Sequence, residues 1–409
     1  MNKSNTSFLT SLKGLCNRTF LLMLLIEALN NFATTTVKTP INVFGAALGA
    51  SAVIIGLSSS LYNFTATATR PFSGFAMSRV NHKRWLQICM VLRMASFALF
   101  IVTNNVVVYV IAKCFQGLAY AAAATVIPAV IGSANSKAAL GTAYGFYLAA
   151  PRIITSFAPS VSMYIYDNYG STPTFLTGIG LTGVCLILTF FLNLPEDQAR
   201  AAAPAPKKEK VPFSLRSIDR FICFSAFPVC LINLFGGLVY FANAEFLVLF
   251  GEEKGIANVA IFFTITNLIS IWARLVGGAI TDRFGTITIA VYLALMAMAP
   301  ILIGSATSLT PIIVAAVVYQ IGQGCLFPAI LSLAVKMAPD EERALATSTF
   351  YFLLDFSGVI GSAVAGFLVQ YLGYEMMYFC FAGFPVLGII IYFLYRPTIK
   401  RTLAQFGAA

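Results

Sequence analysis

Asn63-Phe-Thr-Ala-Thr-Ala-Thr-Arg70-Pro-Phe-Ser-Gly74-Phe-Ala-Met-Ser78-Arg79-Val and Asn267-Leu-Ile-Ser-Ile-Trp-Ala-Arg274-Leu-Val-Gly-Gly278-Ala-Ile-Thr-Asp282-Arg283-Phe-Gly285 match each other at a constant offset. Asn63 pairs with Asn267, Arg70 with Arg274, Gly74 with Gly278 and Arg79 with Arg283, each 204 residues apart. Gln116 and Gln320 keep the same offset, so the chain reads as two tandem halves. Each stretch is an apolar run that ends in a basic turn, which is how a membrane-spanning helix meets the water.

The rest of the chain agrees. Of its 409 residues, 59% are apolar and only 10% are Asp, Glu, Lys or Arg, against roughly 25% charged in an average soluble domain. A soluble enzyme and a disordered chain are excluded, because neither the surface nor the solvation they need is available. The formal charge of +11 lies in short clusters between apolar runs, a membrane-topology pattern and not a nucleic-acid footprint.

A bilayer core needs about 20 apolar residues per helix. Runs of that length fall at 19–44, 52–76, 85–103, 106–132, 139–166, 172–194, 218–249, 256–279, 286–306, 311–336, 343–371 and 375–396, numbered here as spans 1 to 12. With the N-terminus placed in the cytoplasm, nineteen Lys and Arg lie on the cytoplasmic side and only Lys254 on the other, with six inside spans. That bias puts both termini in the cytoplasm of a multi-pass protein of the cytoplasmic (inner) membrane. Glu27 interrupts the first run and no small-residue cleavage site follows it, so span 1 is expected to be retained.

Residues 195–217, rich in Ala, Pro and Lys, read as a cytoplasmic linker between an N-terminal six-helix bundle at 1–194 and a C-terminal one at 218–409. The expected fold is an all-α membrane protein of twelve transmembrane helices, in two pseudo-symmetric six-helix bundles around a central cavity. Tandem halves of this kind are a recurring plan of secondary transporters.

Gly278-Ala-Ile-Thr-Asp282-Arg283-Phe-Gly285 resembles the G-x-x-x-D-R-x-G loop signature of the major facilitator superfamily, at the position where that family carries its second copy. The first copy is degraded: Ser78 stands for the Asp and Asn81 for the second Gly, while Gly74 and Arg79 remain. The resemblance implies a conformational gating role for Gly74, Arg79, Gly278, Asp282 and Arg283. It also implies that spans 1, 2, 4, 5, 7, 8, 10 and 11 surround the cavity.

Ionisable groups at membrane depth are expensive and face water or a partner. Polar residues at helical spacing form stripes on those same spans. Span 1 carries Glu27, Asn31, Thr34 and Lys38, and span 4 carries Lys113, Gln116 and Tyr120. Tyr144 and Arg152 mark span 5, Asn233 and Tyr240 span 7, Gln320 and Gln323 span 10, and Tyr351 and Asp355 span 11. Arg70 and Arg274, paired by the repeat, resemble the arginines of anion porters of the superfamily, although the Gly-rich signatures of nitrate porters are missing.

Expected substrate-binding residues are therefore Arg152, Arg70, Arg274, Lys113, Asn31, Gln116, Tyr120, Tyr144, Asn233, Tyr240, Gln320, Gln323 and Tyr351. Glu27 and Asp355 are the expected proton-coupling carboxylates, because an acid in an apolar helix is drawn towards neutrality. Arg93, on span 3, reads as a snorkelling or locking residue. Glu245, near the end of span 7, reads as wet or as part of an outer gate.

Cavity cations outnumber the acids, which points to a small organic, carboxylate-like anion moved by alternating access and coupled to protons or a counter-anion. A proton-coupled multidrug efflux antiporter is the alternative. It is supported by the aromatics and by Lys113-Cys-Phe-Gln-Gly117, which resembles a motif of drug antiporters. No enzyme activity is expected, since the single histidine, His82, lies in a loop and leaves no nucleophile–base pair or metal cluster in the membrane. No cofactor, no metal and no nucleic-acid partner are expected; solute, protons or counter-ion and the lipid bilayer are, with the chain acting as a monomer. The eight cysteines show no CxxC pair and read as small buried hydrophobes.

Overall fold

The computed structural model describes residues 18–134, 151–192, 223–339 and 342–405. The linker at 195–217, Tyr144 and the start of span 5 lie outside them. Among the described residues the regular structure is α-helical. Seven helical segments among the described residues are long and apolar enough to cross a membrane, and Ile261–Arg274 and Thr288–Gly304 are shorter apolar stretches. Their outward faces carry large apolar side chains such as Leu25, Ile88, Ile111, Ile187, Trp272, Ile301 and Leu394. In water such a surface would aggregate; in a bilayer it meets acyl chains while each helix satisfies its own backbone.

Span 1 is broken in two: α1, Arg18–Lys38, and α2, Ile41–Ala47. The break sits at Pro40, which has no N–H to give to the carbonyl of Thr36. The Ser162 hydroxyl donates to that carbonyl instead, at 2.6 Å. Span 2 is α3, Ala52–Arg79, span 3 is α4, His82–Ile101, and span 4 is α5, Val106–Ala134. The second part of span 5 is α6, Ala158–Tyr169, which starts with a proline in its first turn, and span 6 is α7, Ser171–Phe190.

The first residues of span 7, 218–222, lie outside the described residues. The span is α8, Phe227–Lys254, with Pro228 in the first turn and residues 224–226 in a turn before it. It runs on through Glu252, Glu253 and Lys254 to Gly255, whose φ of 65° closes the end with N–H bonds back to Gly251 and Glu252. Spans 8, 9 and 10 are α9, Ile261–Phe284, α10, Thr288–Gly304, and α11, Leu309–Lys336. Spans 11 and 12 form α12, Arg343–Gln405, broken at Gly373. There φ is 81° and ψ 168°, a backbone that residues with a Cβ avoid.

The chain divides into two compact units, one of Met1–Gly49 with Phe64–Lys208 and one of Ala50–Asn63 with Glu209–Ala409. The boundary falls inside α3. In the first unit, Phe20, Met23 and Ile26 of α1 pack with Leu86 and Met90 of α4, Val126 of α5 and Cys185 of α7. A second cluster joins Val37, Phe44, Phe97, Phe100, Tyr109 and Phe175. Lys83 caps α7, its Nζ donating to the carbonyls of Phe190 and Leu192 at 2.8 and 2.7 Å.

In the second unit the N-terminal half of α3 packs on α12. A Cβ on Gly56 would lie 2.4 Å from the Ser362 carbonyl and 2.8 Å from Gly366 Cα, so two glycines let the backbones meet. Ser60 donates to the Val359 carbonyl at 2.6 Å, tying the same pair.

Candidate functional site

The two copies of the repeated turn solve one problem differently. After α9, Gly285 takes φ 77° and its N–H bonds the Thr281 carbonyl at 2.8 Å. The equivalent residue of the first half is Asn81, at φ −56° and ψ 129°. Its side chain accepts from the N–H of Lys83 at 2.9 Å and of Arg84 at 3.4 Å, so it serves as the N-cap of α4. The replacement of Gly by Asn in the degraded copy is therefore a change of turn chemistry. Arg283 is exposed and lies over the Phe284 ring at 5.4 Å. Gly74 and Arg79 are in α3, and Gly278 and Asp282 in α9. The side chains of Arg79 and Asp282 lie outside what is described.

In the first unit, Lys113 is 3% exposed. Its Nζ donates to Asn42 Oδ1 at 2.6 Å, and the Tyr109 hydroxyl donates to the same oxygen at 3.2 Å. The ammonium also lies 5.5 Å from the Tyr109 ring centroid. Gln116, one turn on, is buried with Nε2 unpaired among the described residues. Arg93 is 2% exposed, which speaks against snorkelling and leaves the locking reading open. Its guanidinium sits between the rings of Phe97 and Tyr120, at 5.8 and 5.7 Å from their centroids. Span 3 thus delivers a cation to the expected site residue Tyr120.

Glu27 is buried on α1. Asn31, four residues on, turns its amide back to the Glu27 carbonyl at 3.0 Å. Cys185 of α7 donates to the carbonyl of Ile26 at 3.6 Å, which fixes α7 beside Glu27. Lys38, Arg70 and Arg152 are half-buried. The carbonyl of Arg152 accepts from the N–H of Ser156 at 3.0 Å and from its hydroxyl at 2.6 Å, where the helical ladder ends.

In the second unit, Phe327 of α11 is the hub that sequence reading missed. The Arg274 guanidinium lies 5.1 Å from its ring centroid, Phe350 packs edge-on at 5.0 Å, and Tyr351 lies at 6.2 Å. Two expected binding residues from different spans, Arg274 and Tyr351, thus meet on one ring. Gln323 lies one turn before Phe327 and is half-buried. A cleft continues along the same helix, lined by Pro328, Leu331, Ser332, Val335 and Lys336. Gln320 is buried, its amide nitrogen against Gly324, where a Cβ would lie 3.1 Å away.

Asn233 is buried with Nδ2 unpaired among the described residues, while Tyr240 is 43% exposed. Asp355 is half-buried. Glu245 is 4% exposed, which corrects the wet reading, and Ser59 Oγ donates to its Oε2 at 2.6 Å. The described cysteines are mostly buried, with Cys114 half-buried and Cys380 exposed. Among the described residues no group of three His, Cys, Asp or Glu side chains gathers as a metal site would need.

The model of the Major Facilitator Superfamily matches residues 20–318 and 258–408. The Staphylopine export protein of Staphylococcus aureus is 22% identical over 395 residues, covering 95% of this chain and 98% of that one. The uncharacterized MFS-type transporter YhhS of Salmonella paratyphi C is 24% identical over 219 residues, 53% of this chain and 51% of its own. Among solved structures, a point mutant of the nucleoside transporter NupG superposes with a TM-score of 0.75 at 14% identity, covering 92% and 99% of the two chains. A bacterial homolog of the human lysosomal transporter Spinster, inward-facing and unoccupied, gives 0.72 at 14%, covering 95% and 97%. At that identity the likeness speaks for the fold. With the tandem halves, the repeated basic turn and a family match that runs over nearly the whole length, the chain belongs to the major facilitator superfamily of multi-pass membrane transporters.

Proposed function

We propose that this chain is a secondary active transporter that moves a small, carboxylate-like organic anion across the cytoplasmic membrane by alternating access, with protons or a counter-anion as the coupled species. The observation that carries this reading is Arg274, half-buried in α9 over Phe327 and brought to Tyr351 on α12. A guanidinium at membrane depth is costly unless it is functional or paired. A guanidinium can give bidentate bonds to a carboxylate. Phe327 adds an apolar wall beside it, so the preferred solute combines a carboxylate with an apolar or planar body.

The direction we assign is outward. It rests on the relative that aligns end to end with this chain and is named as an export protein. Glu27 and Asp355 remain the proposed coupling carboxylates, and residues 195–217 the proposed linker between bundles. Glu27 is buried on α1.

A ligand-induced thermal-shift screen on the purified full-length chain tests the substrate class. The panel spans carboxylates, uncharged sugars and lipophilic cations. Carboxylates should raise the midpoint, and Arg274→Lys should shrink that rise. Stabilisation by lipophilic cations alone would overturn the anion reading in favour of drug efflux.

A further inference from the structure

Over span 11, helix α12 has two unlike faces. Phe350, Leu353, Ser357 and Gly358 are buried, and a Cβ on Gly358 would lie 2.6 Å from the Phe241 ring of α8, so this side is closely packed. Ser348, Tyr351, Phe352 and Phe356 are exposed, and Asp355 is half-buried. At 3.6 residues per turn these five fall within about 140° of azimuth, on one face. Asp355 lies twelve residues after Arg343, about 18 Å along the helix. A carboxylate that deep is costly against acyl chains and marks a face turned to water or to other polar groups. The hydroxyls of Ser348 and Tyr351 share that face.

Charges of both signs border its rings. The Arg274 guanidinium lies 5.1 Å from the Phe327 centroid, and Phe327 meets Tyr351 at 6.2 Å. Asp355 follows Tyr351 by four residues and Phe352 by three, the spacings at which helical side chains are neighbours. Phe352 and Phe356 stack, with centroids 5.9 Å and planes 9° apart. A guanidinium therefore stands on one side of the Phe327–Tyr351 pair and a carboxylate one turn beyond the other. Aromatic faces beside a carboxylate favour an organic ammonium, which both attract.

We propose that this surface selects a zwitterion: a solute whose carboxylate is held by Arg274 and whose ammonium, at the other end of a planar or apolar body, is held by Asp355 among the aromatic rings. This selectivity rests on the anion reading of Arg274 and narrows it from organic anions to amino-carboxylates. It gives Asp355 a solute contact in addition to its proposed coupling role.

Calorimetric titration of the full-length chain in lipid nanodiscs tests it with three matched compounds, 4-(aminomethyl)benzoate, 4-methylbenzoate and 4-methylbenzylamine. In the parent chain the zwitterion should bind about 10- to 150-fold more tightly than 4-methylbenzoate, the gain from one hydrogen bond between charged groups. In Asp355→Asn that ratio should fall to near one, and Asp355→Glu, which keeps the charge, should restore most of it. The comparison in the parent needs no variant, so it decides the matter even if Asp355→Asn fails to fold. Binding of 4-methylbenzoate that weakens in Arg274→Lys, with a ratio near one in the parent, overturns the zwitterion and leaves the anion reading standing. A ratio that survives in Asp355→Asn overturns it by placing the ammonium elsewhere. Binding of 4-methylbenzylamine without binding of 4-methylbenzoate overturns the anion reading and the zwitterion with it.

Discussion

The hydroxyl of Ser162 donates to the carbonyl of Thr36 at 2.6 Å, the carbonyl that Pro40 leaves without a helical donor. One side chain from α6 thus repairs a break in α1–α2 that the sequence imposes through proline. A carbonyl left unpaired in an apolar layer costs about 1–3 kcal/mol. Ser162→Ala should therefore lower unfolding stability by about that amount. Ser162→Thr should lower it much less, because the hydroxyl is kept. Denaturant or thermal unfolding in detergent checks both.

Lys113 gives a second expectation. Its buried ammonium donates to Asn42 at 2.6 Å, so removing the amide takes a bond from a charge. Asn42→Leu should destabilise the first unit by about 1.5–3 kcal/mol, the worth of a hydrogen bond to a charged group. Asn42→Asp should be tolerated, since it replaces a charge–dipole contact by an ion pair. Equal losses in both variants would mean that packing at Asn42, not its oxygen, matters.

The two basic turns should respond to opposite substitutions. Gly285→Ala forces a Cβ into a backbone at φ 77° and should cost about 1 kcal/mol or more. Asn81→Gly keeps the turn but loses the cap on α4, a smaller effect of a few tenths, whereas Asn81→Ala should cost about 1 kcal/mol. Melting midpoints of the three variants order these losses. Asp282→Ala, by contrast, should slow interconversion between conformations while leaving ligand affinity within a few-fold. Selective loss of binding would place the motif in the binding site.

Much of the architecture was legible from apolar run length and from the 204-residue repeat, because membrane helices obey a local rule that a linear sequence displays. The site was legible only as stripes. Arg274 and Tyr351 were readable as polar residues on cavity spans, but Phe327, the ring that joins them, carries no signal of its own. A phenylalanine in an apolar helix looks the same whether it faces lipid or a guanidinium. Arg93 was readable as snorkelling or locking but not as a ring partner: depth along a helix is readable, but which neighbour a side chain finds across the bundle is not. Two aromatic rings, Phe97 and Tyr120, keep it buried. Glu245 was read as wet from its position near a span end. Helix α8 runs on to Lys254, so Glu245 lies more than two turns inside it, where Ser59 can reach it.

Coupling through the proposed carboxylates makes a separate demand. Glu27→Gln or Asp355→Asn should abolish gradient-driven transport yet keep some solute exchange, because exchange needs no net proton movement. Transport assays in proteoliposomes, with and without a pH gradient, make the distinction. Unchanged pH dependence in both variants would remove these residues from coupling.

Whether an arginine in α9 recognises an anion is tested most directly by the affinity of Arg274→Lys for the carboxylate that stabilises the parent chain. Lysine keeps the charge but lacks the planar fork and stacks poorly on Phe327. Losing a hydrogen bond to a charged group costs about 1.5–3 kcal/mol, roughly a 10- to 150-fold weaker Kd. That loss, at an unchanged melting midpoint of the ligand-free protein, is the predicted result. Undiminished carboxylate affinity in Arg274→Lys, or tight binding of a cationic dye that persists in it, would contradict anion recognition at this site.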